Sequence, residues 1–144
     1  AAAGASATTL DEILAASDVL TLHCPSTAAT RKLINSATLA RMKTGALLVN
    51  VARGDLVDRA ALVQSLHSGQ LGGAALDVFD PEPLPADHAL RQAPNLIVAP
   101  HIASVSPTAV RALREGAARR ALLAATGELP PNIVNGVTLA RTIP

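Results

Sequence analysis

Four aliphatic runs of strand length narrow the folds open to this chain more than any other feature. They are Asp18–His23, stopped by Pro25; Ala46–Val51; Gly73–Val78; and Leu96–Ala99, halted by Pro100. A continuous apolar run of strand length such as Ala46–Val51 is consistent with a central parallel strand buried on both faces. Aromatics make up only 1% of the chain, one Phe with no Trp or Tyr. The core is therefore expected to consist of Ala, Val, Leu and Ile, which lets helices pack closely on a sheet.

Helix signals fall between and after these runs. Thr9 and Glu12 form a capping box that predicts a short helix through about Ser17. Ser36 opens a second helix ending near Gly45, and Asp58 caps a third that carries Ala61, Leu62 and Leu66 before Gly69. The Pro-rich stretch from Asp80 to Pro85 must be loop. Ser106 and Pro107 start a long helix with Pro at its first position, an apolar stripe of Val110, Leu113, Ala117, Ala121 and Ala124, and a stop at Gly127. Residues 1–8 are expected to be poorly ordered, and the tail from Leu129 to Pro144 irregular. Strands alternating with helices imply βαβ units and a parallel sheet.

Composition excludes several functions. Twelve basic and eleven acidic residues leave a net charge of +1, without the dominant basic stripe of a nucleic-acid binder. Arg111, Arg114, Arg119 and Arg120 cluster on one helix and read as a solvated face, with Arg111 and Glu115 paired at i,i+4. Stacking platforms for single strands need aromatics that are missing here. The single cysteine, Cys24, excludes an internal disulfide and fits a reducing, cytoplasmic setting. No apolar run approaches the ~20 residues that span a bilayer. The start has neither the basic end of a signal peptide nor an initiating Met, so the chain is expected to begin partway through a longer protein.

The chemistry gathers where strands end, which is where an open α/β sheet forms its ligand crevice. Arg53 follows a buried run and precedes Gly54, and its guanidinium can grip a carboxylate with two parallel hydrogen bonds. The bland alternative is a salt bridge to Asp55 or Asp58. His101 follows the last strand, between Pro100 and Ile102, and can gain and lose a proton near neutral pH. Glu82, between two prolines, is either a solvent-facing acid or a partner that keeps a histidine protonated. Asp77 ends an aliphatic strand and must have a hydrogen-bond partner to be tolerated there. His67 and His88 read as solvated, and His23 as a packing residue.

Taken in order, Leu22–Pro25, Val49–Gly54, Ala75–Phe79, Asp80–Pro83 and Ala99–Ser104 closely resemble the D-isomer-specific 2-hydroxyacid dehydrogenases, from about Asp18 to Asn135. The stretch from Ser106 to Asn132 looks closest to the branch of the C-terminal binding protein corepressor. The resemblance implies an α/β fold: the C-terminal half of a Rossmann-like, doubly wound NAD-binding domain over residues 1–105. It also implies a crossing helix and tail, residues 106–144, that pack on a substrate domain not present here.

By the same resemblance, Arg53 would hold the substrate carboxylate and polarise its carbonyl. His101 would be the acid/base toward the 2-oxo oxygen, and Glu82 would keep it protonated. Asp77 would meet the nicotinamide end of NAD, and Thr21, Val51, Ala52, Arg53, His101 and Ser104 would line the rest of that pocket. Cys24 would be a packing residue beside the cofactor. The implied substrate is a small D-2-hydroxy acid or its 2-oxo partner, and the implied assembly a homodimer. No metal site, nucleic acid or membrane partner is expected.

The chain lacks the Gly-x-Gly-x-x-Gly turn and the ribose-reading acid of the family, so NADP stays open beside NAD. These 144 residues alone are expected to bind NAD weakly without turnover. A dinucleotide-sensing scaffold and a phosphite-type dehydrogenase are the alternatives to a 2-hydroxyacid enzyme, while Pro100 before His101 argues against formate.

Overall fold

The computed structural model describes residues 4–134 and 136. The expectations for residues 1–3, and those for the tail at 135 and 137–144, lie outside the described residues. The chain divides into two compact units, Ala1–Ala103 and Ser104–Pro144.

The first unit holds a four-stranded, all-parallel sheet of β1 (Val19–Leu22), β2 (Ala46–Asn50), β3 (Leu71–Leu76) and β4 (Leu96–Val98), in the order β1-β2-β3-β4. Sequential order in a parallel sheet puts every strand's carboxyl end on the same edge. The loops after β2, β3 and β4, which carry Arg53, Glu82 and His101, therefore leave from that edge.

Helices α1 (Leu10–Ala16), α2 (Ser36–Leu39) and α3 (Arg59–Ser68) pack one face. Leu14, Leu39, Leu62 and Leu66 join Leu20, Leu22, Leu48, Ala74 and Leu76 in one aliphatic core. The capping box at α1 is formed: Glu12 N–H donates to Thr9 Oγ1 (3.2 Å), and Thr9 N–H to the Glu12 carboxylate (3.0 Å). Asp58 Oδ1 accepts from Ala60 and Ala61 N–H at the start of α3 (3.1 and 3.2 Å). Gly69, at φ 74, closes α3 in the left-handed conformation that glycine adopts without a Cβ clash.

Two expectations are corrected. The helix from Ser36 does not reach Gly45; it is a single turn capped by Asn35. The chain turns away because Gln70 Nε2, arriving after α3, donates to the carbonyls of Leu39 and Met42 (3.2 and 2.9 Å) and satisfies them outside a helix. Nor is β2 buried on both faces. Leu47 is 44% exposed, beside Val19 on β1 and with Ile97 on β4 also open, because α1, α2 and α3 all pack the Leu48 face.

In the second unit Ser106 caps α4 (Pro107–Ala125), its Oγ accepting from Ala109 N–H (3.1 Å). Arg111 pairs with Glu115 one turn on (2.7 Å). None of the described residues of α4 is buried, and Leu113 of the expected apolar stripe is 75% exposed.

The Asp58 cap yields a direct test. Asp58→Ala should cost about 1 kcal/mol in denaturant unfolding, with the midpoint lowered and the slope unchanged. The Ala61 N–H and Lys32 hold the Asp58 carboxyl below its ordinary value. Its contribution is therefore present above the ordinary carboxylate range and is lost on acidification through the lowered value. Equal stability of the two proteins at neutral pH would refute the cap's role.

Candidate active site

The turn that carries Arg53 is built by Asn50, the last residue of β2. Asn50 is 1% exposed. Its Oδ1 accepts from Ala52 N–H (3.0 Å) and its Nδ2 donates to the Arg53 carbonyl (2.8 Å). Arg53 itself is exposed, and its Nη1 donates to the Ala52 carbonyl (2.7 Å). Neither acid of the bland reading takes it: Asp55 pairs with Arg31 and Ser26, and Asp58 with Lys32.

Gly54 then brings this loop against the one that follows β3. A Cβ at Gly54 would overlap the carbonyl carbon and oxygen of Phe79, so the two backbones meet only because residue 54 has no side chain. Three residues beyond Phe79, Glu82 turns back, and its Oε1 accepts from Phe79 N–H (2.7 Å). Its Oε2 faces His101 Nδ1 at 2.9 Å. The His101 hydrogen bond first, then the Phe79 N–H, holds the Glu82 carboxyl below its ordinary value. An ionised carboxylate only accepts hydrogen bonds, so Nδ1 carries a proton and Nε2 is the nitrogen that gains or loses one.

Asp77 sets the third loop. It is 5% exposed, and its two oxygens accept from Ile102 N–H and Ala103 N–H, both at 2.8 Å. The grip falls on the two residues after His101, which stands at φ 57, in the left-handed region sparsely used by residues with a side chain. Asp77 N–H in turn donates to the Asn50 carbonyl (3.0 Å).

An apolar slot of about 220 Å³ opens beside Asp77, lined by Val49, Val51, Ala75, Ile97, Ala99, Ile102 and Ala103. A second hollow of about 440 Å³ is lined by Phe79, Glu82, Pro83, Leu84, Val98, His101 and others. A flat ring with a polar edge suits the slot, whose one charged member is Asp77. The chain has no Gly-x-Gly-x-x-Gly turn to receive a pyrophosphate, so the fit is to the nicotinamide end of a dinucleotide alone.

The other sequence-predicted residues fall as follows. Val51 and Ala52 lie in the turn built by Asn50. Thr21 is on the open face of β1, in register with Val49, with its Oγ1 at 3.0 Å from His23 Nε2. His23 is exposed, which corrects its reading as a packing residue, because β1 ends at Leu22 and releases it. His88 is half-buried rather than solvated, and its Nδ1 accepts from Leu90 N–H (3.1 Å) to cap a short turn. His67 is exposed, with Nδ1 at the Val63 carbonyl (2.9 Å). Cys24 is half-buried against the core. Ser104 begins the second unit. Among the described residues, no group of three or more His, Cys, Asp or Glu could hold a metal ion. Asn50 was missed, although an amide closing an aliphatic run three residues before Arg53 is a visible signal.

A parallel sheet with a crevice at its carboxyl edge, holding an imidazole–carboxylate pair and an arginine turn, defines a Rossmann-like domain equipped for acid–base chemistry. Comparison with known proteins makes this specific. Residues 1–103 match the family model described as D-isomer specific 2-hydroxyacid dehydrogenase, NAD binding domain. The glyoxylate reductase of Thermofilum pendens is 47% identical over 128 residues, covering 89% of this chain and 38% of that protein. The glyoxylate reductase of Aeropyrum pernix is 42% identical over 132 residues, covering 92% and 39%. A crystal structure of D-lactate dehydrogenase with NAD+ from Lactobacillus jensenii superposes with a TM-score of 0.82 at 34% identity, covering 89% of this chain and 42% of that one. The chain belongs to the D-isomer-specific 2-hydroxyacid dehydrogenase family and spans about two-fifths of the length of the relatives it matches.

The contact between loops predicts that Gly54→Ala destabilises the protein by about 1–3 kcal/mol, because backbone rather than a flexible side chain must give way. Thermal unfolding measures this, and an unchanged midpoint would show that the loops do not depend on each other. The lowered Glu82 value gives a second outcome: the pair with His101 persists above the ordinary carboxylate range and is lost as pH falls through the lowered value. Glu82→Gln should abolish that acid-side change in the His101 ring resonances.

Proposed function

We propose that this chain is the nicotinamide-side part of an NAD-dependent oxidoreductase that interconverts a small D-2-hydroxy acid and its 2-oxo acid. The observation that carries the reading is the 2.9 Å contact between His101 Nδ1 and Glu82 Oε2 at the carboxyl edge of the sheet, one close-packed backbone contact from the Arg53 turn. Similarity to glyoxylate reductases supports glyoxylate as a first substrate to try.

In this reading Arg53 binds the substrate carboxylate through paired hydrogen bonds and draws charge from the adjacent carbonyl. His101 donates the Nε2 proton to the 2-oxo oxygen during reduction and takes it from the 2-hydroxyl during oxidation. Glu82 holds the ring through its Nδ1 and fixes the ring's orientation. The apolar slot beside Asp77 would take the nicotinamide, with Thr21, Val51, Ala52, Arg53, Asp77 and His101 as the residues that would hold that end of the cofactor. The chemistry NAD supplies when bound is hydride transfer to or from carbon 2. Helix α4 would serve as the helix that leaves toward a substrate domain.

A cytoplasmic homodimer completes the proposal, supported by family membership and by a single cysteine suited to a reducing compartment. Among the described residues, no helix is long and apolar enough to cross a membrane.

NADH oxidation by the full-length protein, assayed with glyoxylate, hydroxypyruvate and a bulkier 2-oxo acid, tests the reading. Turnover is expected, and His101→Ala should lower kcat/KM by about 10²-fold or more. The 144-residue segment alone should show no NAD-saturable reduction of glyoxylate. NADH binding without turnover on any of these acids would overturn the enzyme in favour of a sensing scaffold.

A further inference from the structure

Asn50 lies in sheet register with Leu22 on one side and Leu76 on the other, both buried and apolar. A leucine would serve packing there, and a buried amide is tolerated only when its polar atoms are bonded. Both are committed to the next three residues: Oδ1 to Ala52 N–H and Nδ2 to the Arg53 carbonyl. The side chain thus spends one acceptor and one donor folding back the peptide that bears the guanidinium. Aspartate, of the same shape, has no donor for the Arg53 carbonyl, and serine or alanine cannot reach both atoms.

We propose that Asn50 is a positioning residue for Arg53: its amide sets the direction in which the guanidinium meets the substrate carboxylate. This rests on the functional reading above. The 2.8 and 3.0 Å bonds leave the turn little slack, and an error of about 1 Å in placing a binding group can cost a factor of about 10² in rate. Asp77 N–H holds the Asn50 carbonyl (3.0 Å), so the same residue anchors its turn to the strand whose acid holds the histidine loop. Asn50 touches neither substrate nor cofactor in this assignment. It acts through the turn that carries Arg53.

The test is a double-mutant cycle in the full-length protein, with Asn50→Leu, Arg53→Ala and the pair, assayed for NADH-dependent reduction of glyoxylate. Leucine keeps the volume and the packing while removing both hydrogen bonds. Asn50→Leu is expected to lower kcat/KM at least tenfold, chiefly through KM for the 2-oxo acid. In the Arg53→Ala background it should cost less than twofold, because there is no guanidinium left to aim. Equal losses in both backgrounds, or none in the parent, would overturn the assignment. Should Asn50→Leu not fold, Asn50→Asp runs the same cycle, keeping the acceptor for Ala52 N–H and setting an oxygen against the Arg53 carbonyl. A parent without turnover on any 2-oxo acid would overturn the functional reading and this assignment with it. A parent that turns over while its cycle is additive would overturn this assignment only.

Discussion

Burial of an ionised carboxylate is costly unless its oxygens are bonded, and Asp77 meets that condition by accepting two backbone N–H groups. The stretch after β4 must therefore run where Ile102 and Ala103 can reach it, and His101 is held in a left-handed conformation just before them. From His101 the connections continue through Glu82 to the Phe79 amide, and from Phe79 by backbone contact to Gly54. Gly54 adjoins the Arg53 turn, which Asn50 closes, and the Asn50 carbonyl accepts from Asp77 N–H. The contacts form a closed ring around the crevice. Removing any member leaves a buried polar group unpaired or two loops unsupported, so the three loops hold their geometry together.

Much of this was legible in the chain. Continuous aliphatic runs declared a parallel sheet, and four sequential parallel strands are observed. Thr9, Asp58, Gly69, Ser106 and Pro107 marked helix boundaries because capping is local chemistry that neighbouring residues decide. Asp77 was recognised as needing a partner, since the cost of a buried charge follows from its place at the end of a strand. What stayed hidden depended on residues distant in sequence. Nothing near Leu39 announces that Gln70 takes its carbonyl and ends the helix after one turn. The contact of Gly54 with Phe79 and the choice of backbone amides for Asp77 are likewise tertiary facts.

The open face of the sheet illustrates a different limit. An aliphatic run such as Ala46–Val51 reads as buried on both sides. Here α1, α2 and α3 all lie against the Leu48 side, and Val19, Leu47 and Ile97 on the other are exposed. Periodicity reports how much apolar surface a strand carries. It does not say which element covers it, because a helix and a neighbouring subunit remove the same methyl groups from water.

Exposure separates what supports the crevice from what lines its rim. Asn50 and Asp77 are 1% and 5% exposed, whereas the side chains of Glu82 and His101 are 35% and 48% exposed. An ion pair that open to solvent contributes on the order of 0–1 kcal/mol to folding, too little to explain why glycine contacts, a buried acid and a left-handed histidine converge on it. Stability alone would be better served by leucine at position 50 and by an unconstrained loop after β4. The chain instead places polar groups in its core and a strained residue at its rim. That arrangement makes physical sense when the fold is maintaining the geometry of the three loops rather than maximising stability, as the proposed roles of Arg53, Glu82 and His101 require.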